Sequence, residues 1–168
     1  MLLIGLPAPA QSPYKLQVGK EIAFIGAGLS TSFLGAQLRS GTPIYSGDEL
    51  LALDPASINS FDRKAVDYYS ISAHEFSNVF LFTGIGCPVL LLAGKETRKG
   101  FGTIAVMWSE AMFITSGLTL MTKHIAKRTL PFVYNPDVEV SKKRTVDARA
   151  SFFSGHTSLS AAGSFFAA

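Results

Sequence analysis

Between Lys123 and Ser158 the chain reads KHIAKRTLPFVYNPDVEVSKKRTVDARASFFSGHTS. Cations, a glycine, a hydroxyl and an imidazole come together in this stretch. Ser154-Gly155-His156 opens the run TSLSAAGSFFAA, a small-residue helix pattern. A helix N-terminus presents unpaired backbone N–H groups and a partial positive charge, and phosphate is the ligand that suits it. Gly155 lets the backbone come close to a ligand. Ser154 can donate its hydroxyl to a phosphate oxygen. His156 titrates near neutrality and can hand a proton to a leaving oxygen. Taken alone, Ser-Gly-His is a short signal, and a lone histidine at a helix start is usually a cap.

Lys123 ends a long apolar segment. On a helical wheel Lys127 lies about 40° from Lys123, Leu130 about 20° to the other side, and Arg128 about 140° away. Lys123 and Lys127 can therefore face one anion together. Pro131 biases Leu130 out of the helical region, so Arg128 joins them only if the chain unwinds before the proline.

Apolar segments must position these groups. Residues 20–38, 78–94 and 101–122 are each long enough to read as membrane spans, and a fourth begins at 154. Nineteen residues span about 28 Å, close to one bilayer core. Gly26, Gly28, Ser30 and Ser32 in the first would permit close helix contact. Pro88 in the second is tolerable in a membrane helix. Glu110 interrupts the third; a structural hydrogen bond to another helix is its first expectation, and a functional role its second. Lys95, Arg98 and Lys99, with Glu96, make a short basic loop that the positive-inside rule places in the cytoplasm. The third span then exits on the outer face, and the Lys123 region sits outside. Residues 1–11 read either as a signal remnant ending Ala8-Pro9-Ala10 or as a proline-rich lead-in. A cleaved signal would put the basic loop outside, so the signal assignment is the one to give up.

Composition agrees with a membrane or deeply buried helical protein. Of 168 residues, 48% are hydrophobic and 16% charged, against a usual charged share of about 25%. The net charge of +3 is unevenly placed. Residues 123–150 carry Lys123, Lys127, Arg128, Lys142, Lys143, Arg144 and Arg149 against Asp137, Glu139 and Asp147. Residues 39–77 carry six carboxylates against Arg39, Arg63 and Lys64. The basic loop has little aromatic interleaving and no nucleic-acid motif, which argues for an anionic ligand or solvated face over nucleic acid. Cys87 is the sole cysteine, so no internal disulfide and no cysteine-rich metal site is expected. Asp54-Pro55 reads as the start of an amphipathic surface helix with Ile58, Phe61, Ala65 and Tyr68 on one side. His74 reads as a surface histidine.

The order Lys123, six residues, Leu130-Pro131, then a loop and Phe153-Ser154-Gly155-His156 resembles the type 2 phosphatidic acid phosphatase superfamily, which also includes vanadium haloperoxidases. Its motifs are Lys-x6-Arg-Pro and Pro-Ser-Gly-His. VYNPDV followed by SFFSGHTS looks like the membrane-bound bacterial branch. Leu130 replaces the motif arginine and Phe153 the proline. A third motif, Ser-Arg-x5-His-x3-Asp, has no match in this sequence; His74 and His124 lack its context.

The resemblance implies an all-α, multi-span membrane helical bundle, incomplete at its C-terminus, with a bacterial inner-membrane location and a periplasmic site. It implies Lys123, Ser154 and Gly155 as phosphate ligands, Lys127 or Arg128 in compensation for Leu130, and His156 as the general acid. The implied reaction is metal-independent, cofactor-free hydrolysis of a lipid phosphate or diphosphate through a phosphohistidine, with the nucleophile belonging to the third motif. The partners implied are a phosphorylated lipid and the membrane. A vanadate-dependent enzyme, a non-catalytic binder of anionic headgroups and a soluble helical protein are the alternatives.

Overall fold

The computed structural model describes residues 14–168; the leader-like stretch 1–11 lies outside the described residues. Among these the chain is helical and has no strand. In chain order the α-helices are α1 (Val18–Ser40), α2 (Gly47–Leu51), α3 (Ser60–Arg63), α4 (Ile71–Gly86), α5 (Lys95–Lys99), α6 (Phe101–Ala126), α7 (Val140–Lys143) and α8 (Gly155–Ala167). Short 3-10 turns lie between them.

Local chemistry explains several boundaries. α4 tightens into a 3-10 helix at Cys87–Ala93, because Pro88 has no N–H to donate and its ring would meet the carbonyl four residues back. α6 ends where Lys127 turns left-handed, at φ 46°, and donates its N–H to the Lys123 carbonyl at 3.0 Å. This is the αL ending more often made by glycine. Asp54 caps Ala56 N–H at 2.8 Å and Pro55 follows, as the sequence leads one to expect. The expected amphipathic helix does not continue, however. Asn59 accepts from Asp62 N–H at 3.1 Å and starts α3 afresh, so Pro55–Tyr68 becomes three short turns. An asparagine that caps locally competes with the helix ladder.

Four longer helices form one layer. Gly28 lies against Phe113 and Ile114, and Gly35 against Leu120 and Met121. Seven residues along α1 match seven along α6, so the two run parallel. Asn78 meets His156, and Gly84 meets Ser160 and Gly163, so α4 and α8 also run parallel, in the opposite sense to α1 and α6. A Cβ on Gly117 would lie 2.8 Å from the Gly28 carbonyl oxygen, and one on Gly163 would lie 2.8 Å from the Gly84 carbonyl carbon. Small residues set these distances.

Two helical stretches, Ile71–Ala93 and Phe101–Tyr134, are long and apolar enough to cross a membrane. Only 11% and 17% of their most apolar windows are buried within the chain, unlike the core helix of a soluble protein. The first and fourth expected segments are not among these two. α1 covers residues 20–38 and is long enough, but Gly, Ser, Thr and Gln dilute its apolar character. α8, Gly155–Ala167, opens the fourth expected segment.

At one end of the layer, residues 41–70 and 127–154 fold into a polar cap. Its core is Tyr45, Val133 and Ala148, with Leu50, Leu53, Leu130 and Phe132 against it. The acidic and basic segments meet here. Arg149 pairs with Glu49 at 2.7 Å and stacks 3.7 Å over the Tyr45 ring; Arg128 pairs with Asp62. Arg144 donates to the Tyr45 carbonyl at 3.1 Å, and Arg39 to the Asp147 carboxylate at 3.2 Å. The Glu49 carboxyl is held below its usual range by the Ser46 backbone N–H, then by Arg149. α5 and the N-terminus of α1 lie at the opposite end of the layer.

Candidate anion-binding site

α8 begins at a serine cap. Ser154 Oγ accepts from the Thr157 N–H at 3.3 Å and the Thr157 hydroxyl at 3.1 Å. Its own proton remains available to a third partner. Behind it, the N–H groups of the first turn have no intrahelical acceptor.

Gly155 sits against α6. A Cβ there would be 3.4 Å from Thr119 Cγ2 and 3.8 Å from Lys123 Cε. Thr119 and Lys123 are one turn apart on α6, so the start of α8 rests on the face that carries them. Lys123 Nζ donates to the Ala150 carbonyl at 2.7 Å, which uses one of its three donors. Thr119 is 5% exposed, and its hydroxyl has no protein partner.

His156 Nε2 lies 2.8 Å from Asn78 Oδ1 of α4. A carboxamide oxygen only accepts, so Nε2 carries the proton and Nδ1 is left for another contact. The His74 ring is 5.9 Å away. Burial, then His74, then Lys123 hold the His156 imidazole below the ordinary histidine range. Beside it, a groove of about 560 Å³ between α4 and α8 is lined by Ala73, Phe76, Ser77, Phe80, Leu81, Thr157 and Ser160.

The structure thus brings Lys123, Ser154, Gly155 and His156 to the start of α8. Lys127 and Arg128 are placed differently. The wheel that set Lys127 beside Lys123 stops applying at Ala126, and Lys127 is exposed. The Arg128 guanidinium is held by Asp62, and its carbonyl accepts from Ser151 N–H at 2.9 Å. His124 is 1% exposed and bonds Thr42 Oγ1 at 3.2 Å, a tie between α6 and the chain after α1. Glu110 is buried, with one oxygen lacking a partner, and it faces Glu21 of α1. Among the described residues no group of three or more His, Cys, Asp or Glu is placed to hold a metal ion.

Sequence reasoning passed over Asn78 and Thr119, and read His74 as a surface histidine, which it is, with its ring turned toward His156. A signal was present for each. His74 and Asn78 are four apart on α4, and Thr119 is four before Lys123 on α6, so each pair shares a face. Neither protein-family models, curated proteins nor solved structures gave a match to this chain.

Proposed function

We propose that this chain carries the phosphate cradle and proton donor of a membrane phosphatase acting on a lipid phosphate or diphosphate, of the type 2 phosphatidic acid phosphatase kind. The observation that carries this reading is the seating of Gly155 against Lys123. Two motifs about thirty residues apart meet there at a helix N-terminus. Lys123 and the first-turn N–H groups of α8 would hold the phosphoryl oxygens, with the Ser154 hydroxyl as a further donor. His156, oriented by Asn78, would give its proton to the leaving alkoxide as the phosphorus–oxygen bond breaks. A bound dianion would raise the proton affinity of His156, offsetting its burial. The nucleophile of this chemistry belongs to the Ser-Arg-x5-His-x3-Asp motif, which this sequence does not match. Periplasmic placement of the site in a bacterial inner membrane follows if the α5 turn is cytoplasmic.

The test is orthovanadate binding to the full chain in detergent, read from vanadium NMR line widths. Lys123→Ala should weaken it about 10- to 100-fold, the usual value of a charge-assisted hydrogen bond, and Lys123→Arg should restore part. Vanadate binding that is indifferent to Lys123→Ala and Ser154→Ala sinks the proposal. A second reading, a non-catalytic binder of anionic headgroups, is favoured by Leu130 at the motif arginine position and by the engagement of Arg128 with Asp62.

A further inference from the structure

A second cleft lies at the α5 end of the helix layer, away from Lys123 and His156. It measures about 300 Å³ and opens between α4 with its 3-10 extension and the first turns of α6. Phe82, Pro88, Val89, Ile104, Ala105 and Trp108 line it. The indole Nε1 of Trp108 is buried without a protein acceptor. Both walls belong to the two stretches long and apolar enough to cross a membrane. The cleft therefore faces acyl chains once the protein is in a bilayer.

The turn that joins the two walls of the cleft is basic. α5 joins its two walls, and Thr97 Oγ1 fastens it by bonding the Leu91 carbonyl and, at 3.0 Å, the Gly94 carbonyl. Glu96 holds Lys99 at 2.8 Å. Lys95 and Arg98 are exposed, and among the described residues no carboxylate pairs with either. An apolar slot whose walls are joined by a turn with two unneutralised cations has the charge and shape of a particular occupant.

We propose that this cleft binds an anionic phospholipid of the surrounding bilayer, with one acyl chain in the slot and its phosphodiester at Lys95 and Arg98. Basic pockets at the ends of membrane helices select such headgroups. A zwitterionic lipid fits the slot and offers the same phosphodiester, but it brings its own ammonium group beside the two cations. The proposal does not rest on the phosphatase reading, because it uses neither α8 nor Lys123.

Trp108 is the sole tryptophan in the chain, so its fluorescence reports on the cleft directly. The full chain is placed in phosphatidylcholine vesicles and quenched with brominated phosphatidylglycerol or brominated phosphatidylcholine at equal mole fraction. The anionic lipid should bind roughly tenfold better, as expected for two nearby basic residues. The preference should collapse in high salt and in Lys95→Gln/Arg98→Gln. Ala105→Phe, which fills the slot and keeps the charges, should also remove it. Equal quenching by the two lipids in the natural sequence, or a preference untouched by salt and by both variants, overturns the proposal. Protection of Trp108 from both lipids by a second copy of the chain overturns it as well.

Discussion

Between α1 and α6 two backbones approach until a Cβ on Gly117 would meet the Gly28 carbonyl oxygen at 2.8 Å. Across the cap, Arg149 and Glu49, a hundred residues apart, meet at 2.7 Å through their charged ends. Lipid tails are as apolar as leucine, so helices in a membrane gain from close van der Waals contact and small residues. At an aqueous end, stacked guanidinium groups and a small apolar core can hold loops that have little periodicity of their own. The candidate site sits on the seam. Gly155 belongs to the first kind of contact, and Lys123, bonded to the Ala150 carbonyl at 2.7 Å, belongs to the second.

The comparison breaks most visibly at a glycine. Gly117→Leu should cost more than the about 1–3 kcal/mol of ordinary overpacking, because backbone atoms of Gly28 and Ser32 are in the way as well as the Thr31 side chain. Unfolding of the purified chain in mixed dodecyl sulfate micelles measures it, and an unchanged midpoint would contradict the parallel α1–α6 packing. In the cap, Ala148 is fully buried. Ala148→Leu should destabilise the cap by about 1–3 kcal/mol. Hydrogen exchange should rise in residues 41–70 and 127–154 while α1 and α6 stay protected; uniform loss of protection would mean the two regions do not separate.

The seam gives a pH signature. His156 is held below the ordinary histidine range of about 6.5 by burial, His74 and Lys123. It is therefore neutral at pH 7 and takes up a proton only at lower pH than an ordinary histidine. That proton adds a cation beside a bound anion. Sulfate, dianionic throughout, should bind about tenfold more tightly at pH 5 than at pH 7.5, the effect of about 1.4 kcal/mol. His156→Gln should flatten the curve and His74→Gln should keep its rise. A rise that persists in His156→Gln removes the imidazole from the site. The smallest effect belongs to Arg39 and Asp147, whose side chains are 48% and 65% exposed. Arg39→Gln should cost about 0.2–1 kcal/mol and nothing in high salt; a larger loss in denaturant titration would make this pair part of the cap's framework.

Local features were legible in the residues. The Asp54-Pro55 start, the helix opening at Ser154-Gly155-His156, the helical break before Pro131, and the placement of Lys123 near a helix end all depend on neighbours a few positions away. The basic loop was legible as a charge excess, but its use was not. Arg128 and Arg149 answer carboxylates in 39–77, and no periodicity links segments so far apart. Lys127 failed as a helical neighbour of Lys123 because the chain turns left-handed there, one turn before the proline that marked the expected end.

Sequence alone settled the helical class, the apolar character of α4 and α6, and the meeting of hydroxyl, glycine and imidazole at one helix start. Hydrophobic runs, caps and prolines act through the backbone nearest them. Tertiary structure decided that α1 lies parallel to α6, that Asn78 orients His156, and that Gly155 rests on Lys123. Those contacts depend on how closely glycine-bearing faces approach and which distant charges then come within reach, and neither quantity is written in the spacing of residues along the chain.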